Sequence, residues 1–324
     1  MSTPPTLPAG PPAPNNHRTW VIIGAGFTGA RLARVLHQAG APVIVTRRTF
    51  SDAQAVANEA SATSVAERNV GSNANGSGIK ALAIDLDDAT SCAALTAFSA
   101  GAIVVHSAPP SRPAAEANLL NAIGGAAHVV YISSTGVYGA GHGRVVDETA
   151  PIAPLSQSGR ARADAEARLH AACASAGVTY SSLRASGIYG ATRSLLGRAR
   201  AGMMRIIGDG QSIVCRIHVD DLVTAVIAAG QRQCAGVFNI SDDDPSPTLI
   251  MAQTVCQAIN LPVPTAIPVA GVSGEVAAML LANRIISNQR MHDLLGVTLT
   301  YPSWRTTLAA ELAAELAAEQ LLER

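Results

Sequence analysis

Seven short runs rich in β-branched and other apolar residues punctuate the chain: WVIIG at 20–24, PVIVT at 42–46, IKALAID at 79–85, AIVVHSA at 102–108, HVVYISS at 128–134, VTYSSLR at 178–184 and GVFNI at 236–240. Alanine-rich segments of helical length separate most of them. Strands that are apolar at nearly every position suit a parallel sheet buried on both faces, and alternation with helices builds βαβ units. The pattern predicts a doubly wound α/β fold over residues 19–183, completed by about 213–240. After about residue 184 it loosens, and 184–212 with 241–307 read as a smaller lobe folded over the C-terminal edge of the sheet. The last stretch, 308–324, repeats leucine at 308, 312 and 316 and glutamate at 311, 315, 319 and 323. Each type forms one stripe, which predicts an amphipathic packing helix, with a partner-binding helix as the alternative.

Composition narrows the function classes. The 324 residues are 48% hydrophobic and carry 23 basic and 23 acidic side chains. A balanced charge gives no footing for a nucleic-acid backbone or an anionic membrane surface. Cys92, Cys173, Cys215, Cys234 and Cys256 are widely spaced, without the clustering that zinc or a redox pair needs, so reduced thiols and no metal are expected. Residues 1–18 are proline-rich and read as a disordered tail without a signal peptide; NVGSNANGSG at 69–78 reads as an exposed loop. No apolar run approaches the roughly 20 residues that span a bilayer, so a cytoplasmic protein without a membrane partner is expected.

The first run leads into the strongest chemical signal. Gly24, Gly26 and Gly29 follow it in GxGxxG spacing, and Phe27 and Thr28 open the helix that ends at Gly40. The glycines allow a tight turn, close backbone approach to a diphosphate and close helix–strand packing, while the helix start supplies N–H donors. A Rossmann-type dinucleotide site is expected. The second strand ends in Arg47 and Arg48 where an NAD-preferring site usually has an acid. Guanidinium groups suit a ribose phosphate, so NADP(H) is favoured over NAD(H), the alternative being that both arginines are solvated loop residues.

From here the chain resembles the extended short-chain dehydrogenase/reductase group, the NAD-dependent epimerase/dehydratase family, over nearly all of residues 19–307. The glycine turn, IDLDD, VVHSAPP, YISSTGVYG, LRASGIYG, RIHVDDLVTAV and VFNISDDDP occur in the family's order. The resemblance implies that Asp85 and Leu86 flank the adenine and that Ser107, Ala108 and Pro109 line the middle of the cofactor. It also implies that Ser134 is the catalytic hydroxyl, and a strand-end hydroxyl does face the crevice where ligands of such sheets bind. Tyr131, Val137 and Tyr138 read as packing residues. Family members of the usual type then carry Tyr-x-x-x-Lys, whereas SGRARADAE places Ser158 and Arg162 there, and Lys80 is the sole lysine of the chain. Arg162 can still bind ribose or phosphate. The departure resembles an atypical bacterial branch in which the fold and cofactor site persist without the Tyr/Lys pair.

Two residues are alternatives for the lost acid: Tyr189, otherwise a packed aromatic, and His218, otherwise a structural hydrogen-bonder beside Asp220, which is expected to cap the next helix or to favour its positive end. Arg193, Arg198, Arg200 and Arg205 either meet an anionic small-molecule substrate or form a solvated surface. SDDDP at 241–245 reads as a turn. The expected function is an NADP(H)-dependent oxidoreductase or epimerase/dehydratase acting on a small polar substrate, a nucleotide sugar among the candidates, in a chain that can form a homo-oligomer. The alternative is an NADP(H)-binding regulator or scaffold without turnover.

Overall fold

The computed structural model of the chain describes residues 18–61, 78–110, 112–190, 192–272 and 274–322. The expected tail, Arg18 apart, and the expected loop at 69–78, Gly78 apart, lie outside them. Each of the seven apolar runs forms a strand: β1 (Trp20–Ile23), β2 (Val43–Arg47), β3 (Lys80–Ala83), β4 (Ile103–His106), β5 (His128–Ser134), β6 (Thr179–Ala185) and β7 (Gly236–Ile240). All pair in parallel within one sheet of order β7-β6-β5-β4-β1-β2-β3. This is the doubly wound order with one strand added, and it reverses direction between β1 and β4.

Strand residues alternate between two apolar layers. Trp20 and Ile22 of β1 join one cluster, and Val21 and Ile23 join the other. The first layer is closed by α1 (Phe27–Gln38), α2 (Phe50–Ser61) and α5 (Val219–Arg232), the second by α3 (Pro113–Ile123) and α4 (Gln157–Ser175). Burial on both sides explains the nearly unbroken apolar runs of β1, β2 and β4, whereas the edge strand β3 exposes Lys80 and Ala83 and β6 buries Ser181, Ser182 and Arg184 among its apolar residues. Truncating a core leucine such as Leu32 or Leu119, both fully buried, would cost about 2–5 kcal/mol.

A third cluster gathers Tyr189, Leu195, Met204, Met251, Val255, Trp304 and Leu308 from segments that follow β6. Its last members belong to the C-terminal helix, which runs over Trp304–Leu322 and so begins four residues before the expected start at 308. Trp304, fully buried and donating its ring N–H to Ser246 Oγ at 3.1 Å, anchors that first turn. The leucine stripe then leaves the core: Leu308 is buried and Leu316 is exposed. Among the described residues no helix is long and apolar enough to cross a membrane.

Candidate active site

The glycine turn lies at the point where the strand order reverses. Gly24 adopts φ +77°, and a Cβ there would come within 2.6 Å of Ala108 Cβ. Its N–H donates to Thr46 Oγ1 at 3.1 Å, Ala25 N–H donates to the Thr46 carbonyl at 3.0 Å, and Ser107 Oγ donates to the Gly24 carbonyl at 2.8 Å. The ends of β2 and β4 therefore grip the turn from both sides. A Cβ on Gly29 would lie 2.9 Å from Ser107 Oγ, so the third glycine lets α1 close onto the strand ends. The first N–H groups of α1, from Phe27 and Thr28 onward, have no partner within the helix and point along its dipole. Such a cradle fits a diphosphate.

Arg47 and Arg48 part company here. Arg47 is half-buried, with Nη1 3.6 Å from where a Cβ on Gly26 would sit, whereas Arg48 is exposed. On the next strand end, Ile84 N–H donates to the Arg47 carbonyl at 2.8 Å and Asp85 accepts from Asp87 N–H at 3.1 Å. The Leu86 carbonyl accepts from Asn118 at 3.1 Å. Ala108 packs under Gly24 while Pro109 is exposed.

Ser134, half-buried at the end of β5, caps a single 3-10 turn over Thr135–Val137 by accepting from Gly136 N–H at 3.0 Å. It lines a cavity of about 300 Å³ with Ser158, Ser186, Arg216, Glu275 and Arg284. Tyr131, Val137 and Tyr138 are fully buried, as packing residues should be. Ser158 donates its N–H at 3.0 Å and its hydroxyl to the carboxylate of Glu275. Arg162 turns toward the sheet and donates to the Ile132 carbonyl at 3.1 Å. Beside it His106 is fully buried, and burial, then the charge of Arg162, push its pKa down to about 4.

The two alternatives for the lost acid are both engaged. The Tyr189 hydroxyl meets Thr307 Oγ1 at 3.1 Å, and burial pushes its pKa up. His218 caps α5 by accepting Asp220 N–H at Nδ1, 3.3 Å away, and stacks on Tyr301 with ring centres 3.7 Å apart; burial lowers its pKa. Asp220 is not the cap but stands in the first turn of α5, at the helix's positive end, and takes Arg31 of α1 in a two-point ion pair at 2.6 and 2.9 Å. The imidazole reaches the helix N–H first, and the carboxylate is left free to tie α5 to α1.

The four arginines of the covering segment also diverge. Arg200 pairs with Glu315 through two contacts of 2.7 Å, and Arg205 donates to the Gly202 and Met204 carbonyls. Arg193 lies over the Phe27 ring, 4.5 Å from its centre. Arg193 and Arg198 line a second cavity, of about 430 Å³, whose wall includes Arg216. Arg216 thus borders both cavities, and burial together with the charge of Arg198 lowers its pKa to about 10. Sequence reasoning missed Arg216, although it sits two residues before His218 in a quoted stretch, and it missed Glu275, which has no local signature.

Comparison with known proteins accords with this layout. A functionally unknown conserved protein from Silicibacter pomeroyi is 27% identical, with 92% of this chain and 99% of that chain covered at a TM-score of 0.70. MoeE5, solved in complex with UDP-glucose and NAD, is 22% identical with 94% and 99% covered at 0.68. The UDP-glucose 4-epimerase of Thermotoga maritima, solved with UDP-glucose, is 17% identical with 92% and 99% covered at 0.68. At those two identities the likeness is one of fold. A 3-diazoavenalumate denitrifying reductase from a Streptomyces species is 27% identical over 119 residues, which are 35% of this chain and 39% of the reductase. The match to the family model runs from the first sheet strand past the last, over residues 20–241, and the chain belongs to the NAD dependent epimerase/dehydratase family.

Proposed function

We propose that this chain is an NADP(H)-dependent oxidoreductase or epimerase/dehydratase-type enzyme for a small, polar, anionic substrate. One observation carries the reading: Ser134, at a strand end on the ligand-binding edge of the sheet, and the cationic Arg216 line the same cavity of about 300 Å³. Ser134 would orient and polarise the substrate oxygen, and Arg216 with Arg198 would hold an anionic group. UDP-glucose in two of the structural neighbours makes nucleotide sugars candidate substrates. When bound, a nicotinamide dinucleotide supplies the hydride chemistry; Gly24, Gly26, Phe27, Thr28 and Gly29 would hold its diphosphate. Arg47, at the turn and without an acid beside it in an ion pair among the described residues, supports NADP(H) over NAD(H).

A second reading has its own support. At the positions of the usual pair, Ser158 gives both its N–H and its hydroxyl to Glu275 and Arg162 gives a donor to the Ile132 carbonyl, which favours a cofactor-binding regulator without turnover. The deciding experiment incubates the purified chain with NADPH or NADP⁺ and a panel of aldehydes, ketones and nucleotide sugars, following absorbance of the reduced cofactor and, because an epimerase or dehydratase returns its cofactor unchanged, the substrates by NMR. The enzymatic reading expects turnover on at least one of them and its loss in Ser134→Ala. Tight NADPH binding with no turnover on any would leave the regulator. In parallel, Arg47→Ala should weaken NADPH by about tenfold, near 1.4 kcal/mol, and leave NADH unchanged. Equal effects on both cofactors would remove the NADP(H) assignment.

A further inference from the structure

Ser158 stands where the family resemblance implies a tyrosine, and a side chain from far along the chain meets it at the wall of the cavity. Glu275 lies in the short helix Gly274–Leu280 that roofs the cavity. Its Oε1 accepts the Ser158 N–H at 3.0 Å, and its Oε2 accepts the Ser158 hydroxyl. The same end of α4 is fixed against the catalytic turn: Gly159 packs so closely on the Gly136 carbonyl that a Cβ has no room, and Gly136 N–H donates to Ser134 Oγ at 3.0 Å. Ser134, Ser158 and Glu275 therefore face one space, and among its described lining residues Glu275 alone carries a carboxylate.

Resting on the enzymatic reading above, we propose that Glu275 is the general base of this site, taking the proton of a substrate hydroxyl through Ser158 Oγ during alcohol oxidation. The substrate O–H proton moves to Ser158 Oγ as the Ser158 proton moves to Glu275, which ends neutral; Ser158 ends unchanged. A bound oxidised nicotinamide supplies the acceptor for the hydride that leaves the carbinol carbon, so the substrate loses one hydride and one proton and becomes a carbonyl compound. Glu275 and Ser158 are both exposed at the mouth, from which the proton can pass to water.

The electrostatics suit a base. Hydrogen bonds from the Ser158 hydroxyl and N–H hold the Glu275 carboxyl below its usual range, with the Ser156 hydroxyl and Gln157 N–H adding to them. It is therefore ionised at neutral pH. From α4 it meets only these uncharged donors, and the remaining charged groups of the cavity wall are Arg216 and Arg284. The reverse proton transfer needs the neutral acid, so reduction through this route should speed up as pH falls toward the carboxyl's range.

The test uses the full chain with NADP⁺ and 2-propanol, cyclohexanol, 1-phenylethanol and UDP-glucose. Wild type should oxidise at least one, with kcat flat at neutral pH and falling on the acid side. Glu275→Gln keeps an acceptor for the Ser158 N–H, so a merely structural role predicts little change. The relay predicts a fall in kcat of about 10²-fold with KM nearly constant, loss of the acid limb, and partial recovery in Glu275→Asp. NADPH binding, followed by fluorescence, should stay within about twofold in both variants. Independently of turnover, ¹³C NMR of the Glu275 carboxyl should show its pKa rising in Ser158→Ala. Unchanged kcat and pH profile in Glu275→Gln, or a Glu275 titration indifferent to Ser158, overturns the relay and leaves the enzymatic reading standing. No wild-type oxidation of any of the four, with NADPH bound, overturns the relay; joined to no turnover on the panel of aldehydes, ketones and nucleotide sugars, it overturns the enzymatic reading as well.

Discussion

Arg184 of β6 and Glu166 of α4 form an ion pair sealed inside the protein, with Nη2 2.7 Å from Oε2 and only 5% and 8% of the two residues exposed. The pair is embedded in a network that reaches the strand carrying Ser134. Ser133 Oγ donates to Glu166, Arg184 Nη1 meets the Tyr138 hydroxyl at 2.9 Å, and that hydroxyl donates to Asn239 at 2.8 Å. Ser133 precedes Ser134, and Tyr138 walls the cavity of about 300 Å³, so the buried charges fix the backbone that presents the candidate hydroxyl.

Removing one partner should therefore be far worse than removing both. Arg184→Met leaves the Glu166 charge buried and uncompensated, an event that costs about 3–5 kcal/mol. A double variant, Glu166→Leu with Arg184→Met, should recover at least half of that loss. Urea denaturation of the three proteins measures it; single and double variants of equal stability would show that the charge itself is not what matters.

The glycine turn separates folding from cofactor binding. Gly24→Ala puts a Cβ 2.6 Å from Ala108 in a backbone with φ +77°, so it should cost about 1–3 kcal/mol of stability and disrupt the turn. A Cβ on Gly26 meets nothing nearer than Arg47 Nη1 at 3.6 Å, so Gly26→Ala should fold normally. It would nonetheless crowd a diphosphate, and NADPH affinity should fall at least tenfold, about 1.4 kcal/mol, as measured by calorimetry. Normal affinity in Gly26→Ala would mean that the diphosphate does not approach this backbone.

The sheet was legible because its information is local. A strand buried on both faces must be apolar at consecutive positions, and each of the seven runs answers to a strand. The glycine turn was legible because Gly24 serves a left-handed backbone and Gly29 a close approach, both demanded by the turn itself. What stayed hidden depends on residues that meet only after folding. Asp220 was expected to cap its own helix or favour its positive end; it does stand in that first turn, but the cap itself falls to His218 because Arg31, 189 positions earlier, claims the carboxylate. Glu275 reaches Ser158 across 117 positions, and no spacing rule links them. The C-terminal helix starts at Trp304 because a buried tryptophan seats it, a contact invisible to a reading based on leucine and glutamate stripes.

The guanidinium groups of Arg193, Arg198 and Arg216, which line one cavity, should attract an anion. Arg198 raises the cost of charging Arg216, and Nε of Arg198 is buried without a protein partner. Pyrophosphate should bind with an affinity that weakens as salt rises, and Arg216→Met should reduce it at least tenfold, about 1.4 kcal/mol. Isothermal titration at two ionic strengths checks this. Pyrophosphate binding that ignores both salt and Arg216→Met would place the anion elsewhere.

Buried ionisable groups predict how stability follows pH, and two kinds act in opposite directions. His106 and His128 are fully buried, and burial lowers both pKa values to about 4 from a free value of 6.5. Between those values the unfolded chain binds more protons, so their contribution is present above about pH 6.5 and is lost as pH falls toward 4. Asp242 is 2% exposed with Oδ2 lacking a protein partner, and burial raises its pKa from 3.8 to about 8. Here the folded chain holds the extra proton, so stability is lost as pH rises from about 4 to about 8. Asp242→Asn preserves the shape and removes the titration. Relative to this variant, wild type should lose about 1 kcal/mol per pH unit between pH 6.5 and 8, because the slope from the two histidines is common to both proteins and cancels in the comparison. Urea denaturation of both proteins at pH 5, 6.5 and 8 measures the difference. Parallel stability curves would mean that Asp242 is charged in the folded protein throughout, with a compensating cation drawn to its Oδ2.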